Sequence, residues 1–204
     1  MHNLLKEREV ATRTARYSRT ATGLHWAIAL LIFTAFPVGV YMHDLPLSPD
    51  KLRLLNCHKW LGVAVFMLAT LRVAWRVTHR PPELPASLAK WERMGAAAMH
   101  GLLYALIFFV PLSGWLMSSA KGFQTVWLGV LPIPDLIGKD KQIGRLLEQV
   151  HQIADFTMLG LVGGHVAAAL KHHFLAGDDV LVRMIPFLRR PLRVTGNGST
   201  TSRA

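Results

Sequence analysis

The sequence predicts an all-α protein: an integral membrane bundle of four antiparallel helices with both termini in the cytoplasm. Three observations lead to this prediction. The 204-residue chain is 51% hydrophobic and only 17% charged, with a mean hydropathy of +0.30. Four apolar runs are spaced along it, each able, with its flanks, to cross a hydrocarbon core about 30 Å thick. The basic residues bracket these runs and lie mainly on one side of them.

Two of the four spans follow directly from runs without a formal charge. Leu24 to Met42 is a run of nineteen such residues, and Met94 to Ala120 is a run of twenty-seven. Because an α-helix rises about 1.5 Å per residue, both runs are long enough to cross the membrane. The residues before the first run are polar and basic, and no small-residue cleavage site follows it. We therefore expect this span to be retained and not removed as a signal peptide.

The other two spans need their charged flanks. Trp60 to Leu71 is uncharged for twelve residues and Phe156 to Leu170 for fifteen. If the flanking Lys59, Arg72 and Arg76 extend toward the headgroups, the second helix runs from about Leu54 to Trp75. If Asp155 faces the bundle interior, the fourth runs from about Gln149 to Leu175. Short apolar runs also form core helices in soluble proteins, and that alternative stays open at this point.

The distribution of lysine and arginine predicts the orientation. The N-terminal segment, the second connection with its flanks and the C-terminal tail carry sixteen of these residues, whereas the first and third connections carry seven. Because basic residues concentrate on the cytoplasmic side, both termini are expected there. Tryptophan placement agrees with this orientation, since Trp26, Trp75 and Trp91 fall near the inner interface while Trp60 and Trp127 fall near the outer one.

The domain organisation is simple. Residues 1–15 form a polar N-terminal segment, residues 16–190 a four-helix transmembrane domain, and residues 191–204 a tail whose polar composition predicts disorder. The sequence RPPELP, from Arg80 to Pro85, cannot continue a helix and predicts a tight loop.

Composition excludes several classes of site. Cys57 is the only cysteine, which excludes an internal disulfide, a cysteine zinc site, a cysteine-ligated iron–sulfur cluster and covalently attached haem. The net charge of +11 suits a nucleic-acid binder, but the bases bracket apolar spans instead of lining one surface. Nucleic acid is therefore not an expected partner, and a lipid bilayer is.

Five of the ten histidines lie in the predicted spans or at their ends: His25, His58, His100, His151 and His165. An imidazole in hydrocarbon is costly without a partner, so these side chains are functional candidates. On the fourth helix, His151 and His165 are fourteen residues apart, about 21 Å of rise, and point to the same side. His25 begins the first span at the depth of His165, and His58 begins the second at the depth of His151. Two facing pairs at two depths result.

Two imidazole nitrogens from neighbouring helices are what the iron of a six-coordinate b-type haem requires. An iron with both axial positions filled by protein favours electron transfer over oxygen binding. His100 is an alternative to His25 as a ligand, or a partner for a propionate or a quinone. Another class of function, a haem-free metal or proton transporter, uses the same histidines. His2, His43 and His79 fall in connections or tails, where a solvated side chain is expected.

The segments RYSRTATGLHW, NCHKWLG, AAAMHGLLYALIFFVPLSGWLMSSAKG and VHQIADFTMLGLVGGHVAAALKHH resemble the bacterial cytochrome b561 family, over roughly residues 16–190. This resemblance implies a four-helix fold in the bacterial inner membrane with two non-covalent b haems. It also implies that His25 and His165 ligate one haem and that His58 and His151 ligate the other, in agreement with the pairing by depth.

The resemblance implies a reaction as well. Characterised relatives oxidise superoxide at the outer face and reduce ubiquinone near the inner haem. His172, seven residues after His165 and followed by His173, is implied to line the quinone pocket. Seven basic against five acidic residues in the outer loops allow a basic funnel for a small anion. Asp155, one turn after His151, has several candidate roles: holding a loop, a water or a proton. The alternative function is that of an electron-transfer subunit relaying electrons for a partner redox protein.

Overall fold

The computed structural model describes residues 17–79, 89–175 and 181–185. It contains four long helices, α1 (Arg19–His43), α2 (Pro49–Thr78), α3 (Lys90–Lys121) and α4 (Lys141–Phe174). A two-stranded antiparallel sheet of β1 (Thr125–Trp127) and β2 (Leu131–Ile133) lies in the connection from α3 to α4. The predicted all-α four-helix class is confirmed, with a short hairpin added. The segments 1–15, 80–85 and 191–204, and His2, lie outside the described residues.

Two helices begin well before the starts predicted for them, Leu54 and Gln149. The second helix starts ahead of Leu54 because the side chain of Ser48 accepts a hydrogen bond of 3.2 Å from the first turn. The fourth starts at Lys141, and not near Gln149, because Asp140 accepts two main-chain hydrogen bonds of 2.8 and 2.9 Å. A charge-free run measures only the part of a helix within hydrocarbon, whereas the capping residue decides where the helix begins.

The outside of the four spans is largely apolar. All four helices are long and hydrophobic enough to cross a membrane, and at most 11% of the residues in each span are buried within the chain. The exposed side chains include Phe33, Met67, Leu102 and Val166. Because such a surface is unfavourable in water, the helices are membrane spans and not the core helices of a soluble protein.

The helices pack most closely as the pairs α1 with α2 and α3 with α4, and α2 joins the two pairs through α3. One buried cluster consists of Ile28, Val65 and Ala69, and a second of Val110, Ala154 and Met158. Ile32 and Ile107 pack against both clusters. Along the helices, these apolar side chains lie between the His58–His151 pair and the His25–His165 pair.

The two ends of the bundle differ. At the hairpin end, where α1 and α3 finish and α2 and α4 begin, the β hairpin is held by tryptophan side chains. Trp60 Nε1 donates to the carbonyl of Val126 at 2.7 Å, and Trp127 Nε1 to that of Trp60 at 3.4 Å. At the opposite end, called here the terminal end, Trp26 Nε1 donates to the carbonyl of Met184 at 2.9 Å. The tryptophans therefore mark the two ends as the sequence indicated.

Candidate functional site

His58 on α2 and His151 on α4 face each other near the hairpin end. Their ring centroids are 6.2 Å apart, and their planes make an angle of 88°. His151 is buried and His58 is half-buried. The structure thus brings together His58 and His151, which were predicted to lie at the same depth in the membrane.

Each of these rings is held from behind by a main-chain carbonyl of another helix. His58 Nδ1 lies 3.0 Å from the oxygen of Ala35 on α1, and His151 Nδ1 lies 3.1 Å from that of Val110 on α3. Because a carbonyl oxygen only accepts, each Nδ1 carries the proton and donates it. At His151 the Ser113 hydroxyl also lies 2.9 Å from Nδ1, but it donates its own proton to the carbonyl of Val110 and so leaves the ring proton in place. The Nε2 lone pair then remains available, as in metal-binding histidines whose other nitrogen is hydrogen-bonded.

A glycine makes room for each ring. A Cβ on Gly39 would lie 2.9 Å from His58 Cε1, and one on Gly114 would lie 3.0 Å from His151 Cε1. Each glycine comes four residues after the carbonyl that the same ring contacts, so carbonyl and glycine share one helix face. The two imidazoles therefore sit in matching cradles on α1 and α3.

The pair opens on a cavity of about 810 Å³ walled by all four helices. This volume lies within the range of cofactor and small-molecule sites, about 300–1,000 Å³. The wall is mainly apolar, with Phe36, Val65, Phe66 and Pro111 among its residues. A flat apolar group ligated by the two imidazoles fits this chemistry and this size.

The cavity wall carries as many acidic as basic residues, namely Lys51, Lys59, Lys121, Asp44, Glu148 and Asp155. The lysines already have partners. Lys51 Nζ donates to two main-chain carbonyls at the end of α1, Lys59 Nζ donates to the carbonyl of Phe123 at 2.7 Å, and Lys121 pairs with Glu148 at 2.6 Å. The basic excess counted over the outer loops is therefore not present at the wall itself.

Asp155 lies inside the bundle, as its place in the span required. It lines the cavity, and its Oδ2 is 3.3 Å from His151 Nε2. The carboxylate of Asp155 is thus close to His151 Nε2, the nitrogen proposed to carry the lone pair. For that nitrogen to bind a metal, the Asp155 side chain must turn aside, which the adjoining cavity permits.

At the terminal end, His25 on α1 and His165 on α4 form the second pair. Their ring centroids are 6.4 Å apart, with 68° between the planes, whereas those of His100 and His165 are 5.2 Å apart. Two imidazoles on opposite sides of one ion, each with a metal–nitrogen bond of about 2 Å, have centroids roughly 6 Å apart. The separation of His25 and His165 fits this requirement, and that of His100 and His165 is too short.

Arg72 was expected to extend toward the headgroups, but it turns inward. Its Nη1 lies 2.9 Å from Nδ1 of His25, and its guanidinium lies 5.6 Å from the ring centroid of Tyr104. Arg76 lies 5.8 Å from the same centroid. Sequence reasoning missed this cluster because arginine near the end of a span has two options, and only the neighbouring helices decide between them.

The other histidines occupy less central places. His172 is half-buried at the end of α4, and His173 beside it is buried, with no hydrogen-bond partner for its Nδ1 in the described part of the chain. His43 is exposed at the hairpin end, 3.2 Å from Gln152 Nε2, and His79 stacks on Trp75. His173 is therefore the more enclosed of the two adjacent histidines.

The donor set at each level is a pair of imidazoles. Across the described ranges, 17–79, 89–175 and 181–185, no group of three or more His, Cys, Asp or Glu side chains is placed to hold a metal ion. Two axial nitrogens are sufficient for haem because the porphyrin supplies the other four iron ligands. The residues therefore fit haem better than the bare metal ion of a transporter.

Comparison with known proteins gives concordant matches. Residues 16–187 match the family model described as prokaryotic cytochrome b561. The chain is 30% identical over 171 residues to cytochrome b561 homolog 2 of Escherichia coli (strain K12), covering 83% of this chain and 91% of the relative. It is 26% identical over 172 residues to homolog 1 of that strain, covering 84% and 97%. It is 23% identical over 171 residues to the probable superoxide oxidase CybB of Yersinia pestis, covering 84% and 96%.

Proposed function

The chain belongs to the prokaryotic cytochrome b561 family, and from that premise we propose that it carries electrons through two b haems from superoxide to ubiquinone across the bacterial inner membrane. Membership makes it a haem-binding electron-transfer protein of a bacterial membrane. The observation that carries the finer proposal is the stacking of two facing histidine pairs in one bundle, with ring centroids 6.2 and 6.4 Å apart.

In this proposal His58 and His151 hold the haem at the hairpin end, and His25 and His165 hold the one at the terminal end. Bound haem supplies a centre that takes up and releases one electron at a time. The chain's own task is to fix the ligands. The carbonyls of Ala35 and Val110 keep the Nδ1 proton in place at the hairpin end, which orients each ring and makes Nε2 the ligating atom.

Superoxide is the proposed donor at the hairpin end. One relative is named a probable superoxide oxidase, and this end has an apolar cavity that opens beside the His58–His151 pair. Lys51, Lys59 and Lys121 contribute positive charge to its wall, although their ammonium groups are already hydrogen-bonded or paired. Because three acidic residues on the wall balance these charges, the attraction for an anion would come from the basic excess of the outer loops, seven basic against five acidic residues, and not from a free lysine at the wall.

Ubiquinone is the proposed acceptor at the terminal end. Two superoxide ions each give up one electron and become O₂, and one ubiquinone takes up two electrons and two protons to become ubiquinol. His172 lies at the end of α4, seven residues after His165, and His173 is buried next to it. A neutral imidazole has both a donor and an acceptor nitrogen, so it can hydrogen-bond a quinone carbonyl and pass on protons.

A second candidate function is electron relay for a partner redox protein. It is favoured by the β hairpin beside the cavity, where Leu128, Val130 and Leu131 are 55%, 80% and 54% exposed. An apolar projection of this kind is typical of a protein contact surface. The equal numbers of acidic and basic residues on the cavity wall favour the same candidate, since they leave little net attraction for a small anion.

The test uses the purified protein in detergent with a soluble ubiquinone analogue and enzymatically generated superoxide. We expect two haems per chain, quinone reduction that superoxide dismutase suppresses, and loss of this reduction in His151→Ala. Quinone reduction at the background rate with both haems loaded would favour the relay. A folded but haem-free protein would contradict both candidates.

A further inference from the structure

The hydrogen bond between Arg72 and His25 conflicts with iron ligation by His25. Arg72 Nη1 lies 2.9 Å from His25 Nδ1. A guanidinium group stays protonated and only donates, so this Nδ1 accepts. In a neutral imidazole with an accepting Nδ1, the proton is on Nε2. His25 therefore has no lone pair at Nε2 for a metal as long as Arg72 holds it.

The hairpin-end ligands show the opposite arrangement. Nδ1 of His58 and of His151 each lie at hydrogen-bond distance from a carbonyl oxygen, so the ring proton is on Nδ1. The Nε2 lone pair of His58 is then available for iron, and that of His151 becomes available once Asp155 turns aside. Nδ1 of His25 has an arginine as its partner instead. Haem binding at the terminal end requires Arg72 to release it.

Arg72 needs an anionic partner once it leaves His25. None of the ion pairs among the described residues includes Arg72 or Arg76. Both guanidinium groups lie over the ring of Tyr104, at 5.6 and 5.8 Å, on the side of the bundle where His25 lies. Two cations on one aromatic ring without a carboxylate form a site that attracts an anion.

We infer that Arg72 exchanges partners when haem binds, releasing Nδ1 of His25 and pairing with a propionate carboxylate of the terminal-end haem. This inference rests on the proposed function, because it requires a haem at that level. The propionates are the anionic groups of a b haem, and the planar guanidinium matches a carboxylate with two parallel hydrogen bonds. Arg72 is a positioning residue: it fixes the orientation of the haem, and its departure frees His25 to ligate. Arg76 provides a second positive charge beside the same carboxylate.

The experiment measures haem content and the midpoint potential of each haem in purified wild-type protein, Arg72→Leu, Arg72→Gln and Arg72→Lys. A cation beside a propionate stabilises the reduced haem, which carries one more negative charge. We therefore expect Arg72→Leu and Arg72→Gln to lower the potential of the terminal-end haem and to weaken its retention. Arg72→Lys should restore most of both. Arg53→Leu is the control, since Arg53 is exposed at the hairpin end beside Asp50 and should alter neither haem.

The direction of the shift distinguishes the two partners. If Arg72 remains on His25 in the loaded protein, Nδ1 still accepts and His25 ligates as an imidazolate. Without Arg72 this nitrogen takes up a proton, the ligand becomes neutral, and the potential of the terminal-end haem rises. A rise or an unchanged potential would overturn the inference and leave the two-haem proposal intact. Wild-type protein without a terminal-end haem would instead overturn the proposed function and the inference with it.

A spectroscopic measurement covers the case in which Arg72→Leu and Arg72→Gln fail to fold, since it needs only wild-type protein and the conservative Arg72→Lys. Haem produced from aminolevulinate labelled with ¹³C at its carboxyl carbon carries the label in its propionates. In wild-type protein we expect a redox-dependent infrared band of the labelled carboxylate at the frequency of a guanidinium pair, and in Arg72→Lys a shifted band. The same band in both proteins would overturn the inference.

Discussion

Gly39 on α1 lies directly against the imidazole of His58, so that a Cβ at this position would be 2.9 Å from His58 Cε1. The same helix supplies the carbonyl of Ala35, 3.0 Å from Nδ1 of the same ring. The carbonyl orients the ring, and the glycine one turn later leaves room for it because it has no side chain. Gly114 and the carbonyl of Val110 do the same for His151.

This close approach predicts that Gly39→Ala displaces His58 and reduces the haem content. In an ordinary helix, replacing glycine by alanine favours the helix by about 1 kcal/mol, so a loss here would come from the ring contact. Haem per chain by the pyridine haemochrome assay is the measurement. Gly62→Ala is the matched control, because Gly62 also lines the cavity yet a Cβ there meets nothing within 4 Å. Equal haem content in the two variants would contradict the cradle.

Removal of either hairpin-end imidazole should remove one haem and leave the other. We expect His58→Ala or His151→Ala to halve the haem content, with the remaining reduced spectrum assignable to the terminal-end haem. His43→Ala serves as the control, since His43 lines the same cavity but contacts Gln152 and not the opposing pair. If His43→Ala lost as much haem as His58→Ala, the assignment of the ligands would be wrong.

The terminal-end pair makes a separate prediction. His25 and His165 have the separation of two ligands to one ion, 6.4 Å, whereas the 5.2 Å between His100 and His165 is too short. His25→Ala should therefore eliminate the terminal-end haem. His100→Ala should retain it with a changed potential, since an imidazole beside it is lost. Optical redox titration of both variants is the measurement, and the reverse pattern would identify His100 as the ligand.

The spans and the two histidine pairs were predictable because they depend on the geometry of single helices. The fourteen-residue interval between His151 and His165 places them on one side at two depths whatever the neighbours are. The facing of His58 and His151, and of His25 and His165, agrees with that argument. No similar rule places the glycine cradles, because the contact of Gly39 with His58 depends on how α1 and α2 are rotated about their axes.

The position of the Arg72 side chain also could not be predicted from a single helix. An arginine near the end of a span reaches the headgroups or an interior partner at comparable cost, and sequence alone favoured the headgroups. The nearby His25 on α1 made the interior position the better one. The β hairpin was also not predicted, because strands of three residues carry too short a pattern, and tertiary contacts such as the bond from Trp60 to Val126 hold them.

Helix capping gives a prediction about stability. Asp140 accepts main-chain hydrogen bonds of 2.8 and 2.9 Å at the start of α4, the helix that carries His151 and His165. Asp140→Ala should lower the free energy of unfolding by about 1 kcal/mol. Asp140→Asn keeps a capping oxygen and should lie close to the wild type. Thermal unfolding in detergent, followed by circular dichroism, distinguishes the two variants, and an equal loss in both would indicate that the charge of Asp140 matters and not the cap.

The orientation of the bundle decides which substrate reaches which haem, and it can be tested with cysteine labelling. The excess of basic residues flanking the terminal end predicts that this end faces the cytoplasm. In a Cys57→Ser background, Val130→Cys should react with a membrane-impermeant maleimide in intact spheroplasts, since Val130 is 80% exposed on the hairpin. Thr78→Cys, at the exposed end of α2, should react only after permeabilisation. The opposite labelling would place the hairpin end in the cytoplasm, where extracytoplasmic superoxide has no access to it, and the proposed direction of electron transfer would be wrong.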